Sequence, residues 1–184
     1  MPRRRRLATH AARSLATTLV LAGLAADAWS QARAGSAGGV KWSVPKAWTD
    51  QPGSAMRVAT YKVPAAKGAE PGEVAVFFFG PGQGGSIDAN VERWSRQFEG
   101  IPKPTRFLKR VNGLPLTLVQ IAGTYLAPGG PMMQSQGKKL DYRLLAAIAE
   151  APEGLIFFKL TGPAATVGGA QADFDALTAS LAKN

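Results

Sequence analysis

The sequence contains no cysteine and a single histidine, His10. Without cysteine the chain can form no disulfide and has no thiolate for nucleophilic catalysis or metal binding. Because His10 lies in an arginine-rich N-terminal segment, the rest of the chain also lacks imidazole. This excludes Ser-His-Asp and Cys-His catalysis there, and metal binding through histidine. Catalysis would have to use carboxylates, lysine, Ser/Thr or tyrosine, and we expect no cofactor, no metal site and a non-catalytic protein.

The N-terminal segment has the layout of a bacterial export signal. Five arginines precede an apolar stretch at 14–28, which small-residue sites follow at Ala28 and Ala34. The apolar stretch is shorter than the ~20 residues that a membrane-spanning helix needs. We therefore predict a cleaved signal peptide over 1–34, with cleavage after either alanine, and an exported protein that is periplasmic or secreted.

The remainder, 35–184, has the length of a single domain and no transmembrane segment is expected in it. Six of the 22 basic residues and one of the 12 acidic residues lie in 1–34. The predicted mature chain therefore has 16 basic and 11 acidic residues, a net charge of +5. The small residues at 35–39 predict a flexible, disordered beginning of this chain.

A buried strand, a glycine-rich turn and an amphipathic helix are predicted between residues 73 and 101. Apolar residues recur there at the three- and four-residue spacing of one helical face: Ile87, Val91, Trp94, Phe98 and Ile101. Ser86 occupies the N-cap position, and Asp88 falls in the first turn, where a carboxylate meets the positive end of the helix dipole.

Alternating or continuous apolar patterns predict six further strands and a second helix. The strands are expected at 40–44, 56–63, 105–111, 114–126, 140–150 and 155–160, and the helix at 166–181. Short connections, including the hairpin signal Asn112-Gly113, favour antiparallel pairing. We predict an α+β fold in which an antiparallel sheet of six to seven strands is covered by two amphipathic helices, in the order βββαββββα.

Several segments resemble an uncharacterised family of small exported bacterial proteins. They are Met56 to Tyr61, Gly82 to Ser86, Asn90 to Trp94, Phe157 to Pro163 and Ala172 to Asp175. The strand order and the turn from Pro45 to Trp48 also resemble the PsbP-type α/β sandwich. These resemblances imply a sandwich fold and an exported protein. They imply no activity.

The glycine-rich turn is the first candidate site. We assign ligand binding to Gly82, Gln83, Gly84, Gly85 and Ser86, whose amides could hold an anion or glycan. Together with Gly80, this stretch also satisfies the G-x-G-x-x-G pattern of dinucleotide sites. The predicted antiparallel sheet and the basic strand that follows do not suit a dinucleotide. A turn that lets the helix fold back on its strand is the favoured interpretation.

A basic patch is the second candidate site. It comprises Arg106, Lys109, Arg110, Lys138 and Lys139, and would bind anionic lipid, polysaccharide or nucleic acid. Strand alternation separates Arg106 and Arg110 from Lys103 and Lys109, so a solvated sheet edge is the favoured interpretation. Met132 and Met133 lie in a long predicted loop and either fold onto the sheet or contact a partner.

Three functions remain open. The first is a non-catalytic binding or interaction module whose partner is a cell-envelope protein or an anionic ligand. The second is a polyanion or membrane-surface binder, whose affinity would fall steeply with salt. The third is an enzyme that uses carboxylates or lysine.

Overall fold

The structure, a computed structural model, describes residues 33–127 and 137–184. The described residues form ten strands and three helices: β1 Ala34–Ala37, β2 Val40–Ser43, β3 Thr49–Asp50, β4 Ala59–Val63, β5 Gly72–Phe78, α1 Ile87–Ser95, β6 Thr105–Val111, β7 Leu114–Leu126, β8 Lys138–Ala151, β9 Gly154–Pro163, α2 Ala164–Gly169, α3 Gln171–Ala179 and β10 Ala182–Lys183. Most of the predicted signal peptide lies outside these residues, as do Met132 and Met133. No described helix has both the length and the apolar character needed to span a bilayer.

Two antiparallel sheets organise the described residues. The larger has seven strands in the order β3-β4-β5-β9-β8-β7-β6, and the smaller has the order β1-β2-β10. Short hairpins join neighbours, as at Asn112 and Gly113, whose φ angles of 47° and 81° suit a two-residue hairpin turn. The predicted α+β class with antiparallel pairing is confirmed.

The seven-stranded sheet is covered on both faces, because successive side chains of a strand point to opposite sides. One face of β9 carries Phe158 and Leu160, which pack in a core with the small sheet and the C-terminal helices. Trp42 of β2 meets Phe158 edge to face at 5.1 Å between ring centroids. The opposite face carries Phe157, which packs in a second core with the apolar side of α1.

Helix α1 begins as predicted. The Ser86 hydroxyl accepts a hydrogen bond from the Ala89 amide at 3.1 Å, and Asp88 lies in the first turn. Val91, Trp94 and Phe98 are buried against the sheet. The helix ends at Ser95, so Ile101 lies beyond it and is 60% exposed, which differs from the predicted apolar face.

Three predicted elements differ from the structure. The stretch 35–39 is not a disordered beginning, because β1 pairs with β2 along its whole length. The strand predicted from 56 begins at Ala59, and Met56 and Val58 are exposed. The second helix is divided into α2 and α3 at Ala170. Two consecutive glycines precede this break, and glycine is among the poorest helix formers.

Candidate functional site

A cavity of about 230 Å³ lies between α1 and the sheet face formed by β5 and β9. We call it the α1 cavity. Its lining comprises four aromatic rings, two cationic side chains, two amides and one methionine: Phe77, Phe79, Trp94, Phe157, Arg93, Lys159, Asn90, Gln97 and Met56. The cavity therefore joins an apolar wall to a small number of polar groups, a composition typical of ligand sites.

The aromatic wall depends on Phe157, which is fully buried at the centre of the sheet. Trp94 meets its ring at right angles with the centroids 6.3 Å apart, and Phe79 lies 6.1 Å away on another side. Phe77 stacks on Phe79 at 6.1 Å. These contacts fix the rings from three separate elements, so the wall is preformed.

Lys159 is a cation in a poorly hydrated position on β9. It is partly buried, and its Nζ donates a hydrogen bond to Gln97 Oε1 at 2.7 Å. The same nitrogen lies 6.0 Å from the ring centroid of Tyr125, and no described carboxylate forms an ion pair with it. Burial, followed by the nearby Arg57 charge, lowers the pKa of Lys159 to about 8. The amine consequently loses its proton far more readily than an ordinary lysine.

Arg93 lies at the exposed rim of the α1 cavity, where Asn90 holds it. Asn90 is 1% exposed and accepts a hydrogen bond from Arg93 Nη2 at its Oδ1. Its Nδ2 donates to the carbonyl oxygens of Gly84 and Ser86, both at 2.8 Å. Asn90 therefore ties the guanidinium to the glycine-rich turn. No ion pair of Arg93 occurs within the described ranges.

The surroundings of the α1 cavity carry a net positive charge. Arg57 bonds Glu73 at 2.8 Å and places its Cζ 5.7 Å from the Phe77 ring centroid, so these two charges largely cancel. Among the described residues no carboxylate pairs with Lys159 or Arg93, and none lines the cavity. An anion is the ligand charge that this arrangement favours.

The predicted ligand loop adjoins this cavity without lining it. Gly82, Gly84 and Gly85 adopt φ angles of 68°, 88° and 77°, which favour glycine. A Cβ on Gly84 would lie 2.8 Å from Phe79 and 3.1 Å from Phe157, so the turn packs directly on the aromatic wall. Gln83 is exposed, and Ser86 is used as the helix cap. This geometry agrees with a turn that folds the helix back on its strand, and a ligand role for the five residues stays a prediction.

The predicted basic patch is divided along the sheet. Arg110 of β6 and Lys139 of β8 lie near opposite ends of strand β7, roughly 35 Å apart at 3.3 Å per residue. Acidic partners also engage three members of the patch: Arg106 bonds Asp88 at 2.5 Å, Lys138 bonds Glu99, and Lys139 bonds Glu70 at 2.8 Å. Lys109 and Arg110 remain on the exposed strand β6. The structure does not bring the five residues together.

Sequence reasoning missed Lys159, Asn90 and Gln97 as a group. The available signal was a lysine within the otherwise apolar run from Leu155 to Leu160. Arg93 lies on the solvated face of α1, and its contact with Asn90 brings it to the cavity. No group of three or more potential metal ligands occurs within 33–127 and 137–184.

Comparison with solved structures finds distant similarities of fold. No protein-family model matches the chain, and no curated protein matches it. A solved structure of a Pseudomonas aeruginosa protein of unknown function, PA94, is similar with a TM-score of 0.45 and 17% sequence identity. The similarity covers 76% of this chain and 88% of that chain. At this level we infer nothing from it about activity or partners.

Proposed function

We propose that this protein is an exported, non-catalytic binding protein whose ligand is a small organic anion with an aromatic or aliphatic body. The observation that carries the proposal is the α1 cavity, in which four rings adjoin two cations and no carboxylate. The rings would bury the body of the ligand, and Lys159 and Arg93 would bond its anionic group.

The size of the α1 cavity supports a ligand of about one ring. An apolar cavity of roughly 150 Å³ in another protein binds benzene. The volume of about 230 Å³ here leaves room for a ring and a short charged substituent. Because Phe79 and Met56 are exposed, the cavity has an open side through which a ligand would enter.

Export is proposed from the sequence. The arginine-rich segment, the apolar stretch and the small-residue sites have the order of a signal peptide. The resemblance to small exported bacterial proteins supports the same location. The seven-stranded sheet, with elements packed on both faces, also supports a PsbP-type sandwich as the interpretation of the fold.

The ligand class is tested by calorimetric titration with 3-phenylpropanoate and with its neutral counterpart, 3-phenylpropan-1-ol. We expect the carboxylate to bind at least tenfold more tightly, because only it can pair with the two uncompensated cations. Arg93→Gln should reduce carboxylate affinity about threefold to tenfold and leave alcohol binding unchanged. Arg110→Gln, at an exposed arginine remote from the cavity, is the matched control.

Equal affinity for the two compounds, or no binding of either, would contradict the proposed ligand class. Binding confined to polyanions such as heparin, with an affinity that falls steeply with salt, would instead support the basic surface as the functional one.

Signal cleavage is expected to leave Arg33 on the mature chain. Arg33 Nη1 bonds Asp50 at 2.5 Å, Nη2 donates to the carbonyl oxygens of Pro45 and Trp48, and its own carbonyl accepts from the Val44 amide at 2.7 Å. Cleavage after Ala34 would remove all of these contacts. We therefore expect cleavage after Ala28.

Intact-mass analysis of the protein isolated from the cell envelope checks this expectation. A mature chain that begins at Trp29 agrees with it, and one that begins at Gly35 would show that the Arg33 contacts are dispensable. An uncleaved chain confined to the cytoplasm would contradict export itself.

A further inference from the structure

We infer that the Lys159 amine captures a carbonyl compound as a reversible imine, and that the ligand class includes 2-oxo acids with an apolar side chain. The inference rests on the proposed function, because it places the same anionic and apolar ligand in the α1 cavity. It adds a covalent contact that a simple carboxylate cannot make.

No carboxylate of the described residues forms an ion pair with Lys159, so none holds its amine in the ammonium form. The only described side chain that bonds Nζ is the neutral amide of Gln97, at 2.7 Å. Structural lysines usually pair with a carboxylate, as Lys139 does with Glu70 in this chain. An amine that is desolvated and close to other cations is the form in which lysine acts as a nucleophile.

Charged and titratable groups from several elements surround Lys159 and influence its protonation. Arg57, which precedes β4, and Arg93 of α1 disfavour its protonated form, whereas Glu73 of β5 favours it. The Tyr125 ring of β7 faces it at 6.0 Å. Burial is the largest influence, and the resulting pKa of about 8 agrees with the geometry. Near pH 8 the neutral fraction of Lys159 exceeds that of an ordinary lysine by on the order of a hundredfold.

Imine formation from an amine and a carbonyl compound is a condensation that changes no oxidation state, so it needs no oxidant or reductant. The Nζ lone pair attacks the carbonyl carbon and forms a C–N bond as the C=O π bond breaks, and a proton passes from the nitrogen to the oxygen. The resulting carbinolamine loses one water molecule to give the C=N bond of the imine, and addition of water reverses the step. Arg93 at the rim and Gln97 beside Nζ are donors that can bond the carboxylate and the carbonyl oxygen of the same molecule.

The test is reductive trapping with phenylpyruvate and cyanoborohydride at pH 8, followed by peptide mass spectrometry. We expect Lys159 to gain the mass of the probe less one oxygen atom, at least tenfold faster than the exposed Lys46. The trapping rate should rise with pH to a plateau near pH 8 to 9. Excess 3-phenylpropanoate should suppress it, and Lys159→Arg should abolish it, whereas Lys46→Arg should leave it unchanged.

The outcomes separate this inference from the proposed function. Binding of 3-phenylpropanoate without preferential trapping at Lys159 would overturn imine capture and leave the binding function intact. Trapping at Lys159 that 3-phenylpropanoate does not suppress would place the reactive amine outside the proposed site and overturn the inference as stated. If 3-phenylpropanoate does not bind and Lys159 is not trapped, both the inference and the proposed function are overturned.

Discussion

Replacement of Trp94 by alanine is expected to lower the free energy of unfolding by about 3 to 5 kcal/mol, the usual cost of truncating a buried large aromatic side chain. Trp94 is 4% exposed and packs edge to face on Phe157, the residue on which the aromatic wall depends. Its loss removes the edge-to-face contact between α1 and β9 and enlarges the α1 cavity, which Trp94 lines. Urea unfolding followed by circular dichroism measures the change.

Trp94→Phe is the matched variant, because it keeps an aromatic ring against Phe157 and should cost substantially less than the alanine variant. A loss below about 1 kcal/mol for Trp94→Ala would mean that α1 does not pack on the sheet as described. Addition of indole to the alanine variant should restore part of the stability, since an apolar cavity of suitable size binds small aromatic molecules.

Replacement of Lys159 by methionine is expected to stabilise the protein at pH 7 while weakening anion binding. The pKa of Lys159 is about 8 in the folded chain and near 10.5 when unperturbed, so between these pH values the unfolded chain binds more protons. Stability therefore rises with pH across this window. The difference between the two pKa values corresponds to about 3 kcal/mol. At pH 7 the charged amine lowers the free energy of unfolding of the wild-type protein by this amount.

Unfolding measurements at pH 7 and pH 10.5 on both proteins check this expectation. Methionine keeps an unbranched side chain, one heavy atom shorter, and removes the charge, so we expect a gain of about 1 to 3 kcal/mol at pH 7, partly offset by the lost bond to Gln97. The gain should shrink at pH 10.5, where the wild-type amine is neutral. Lys46→Met, at an exposed lysine, should show neither effect. A less stable Lys159→Met variant at pH 7 would contradict the account of a costly buried ammonium.

Local sequence patterns predicted β2, the strands β4 to β9 and α1, because their signals lie within a few residues of one another, and did not predict β1, β3 or β10. The Ser86 cap, the spacing of Val91, Trp94 and Phe98, and the hairpin at Asn112-Gly113 all depend on local geometry. Strand β1 escaped prediction because its residues are small and show no apolar alternation, although Gly38 and Gly39 form a two-residue hairpin turn to β2. A Cβ on Gly35 would collide with the Trp42 ring, so this glycine serves close packing between strands.

The candidate site could be predicted only in part, because it requires residues from separate elements to meet. Alternation along β9 places Phe157 and Lys159 on one face of the sheet. The packing of α1 on that face depends on tertiary structure, which local sequence does not determine. Along α1, Glu92 and Arg96 pair at 2.6 Å on the solvated side, as a charged helix face predicts. Arg93 differs from them through its bond to Asn90, an i,i+3 neighbour on α1, and the burial of Asn90 against the glycine-rich turn depends on tertiary packing.

The most direct test of the proposed site is an NMR pH titration of Lys159, observed through its ¹³Cε signal, with and without 3-phenylpropanoate. The free protein should show a pKa of about 8, and the ligand should raise it, because a carboxylate beside the amine favours its charged form. A pKa near that of an ordinary lysine in the free protein, or one that saturating ligand leaves unchanged, would contradict an anion site at Lys159.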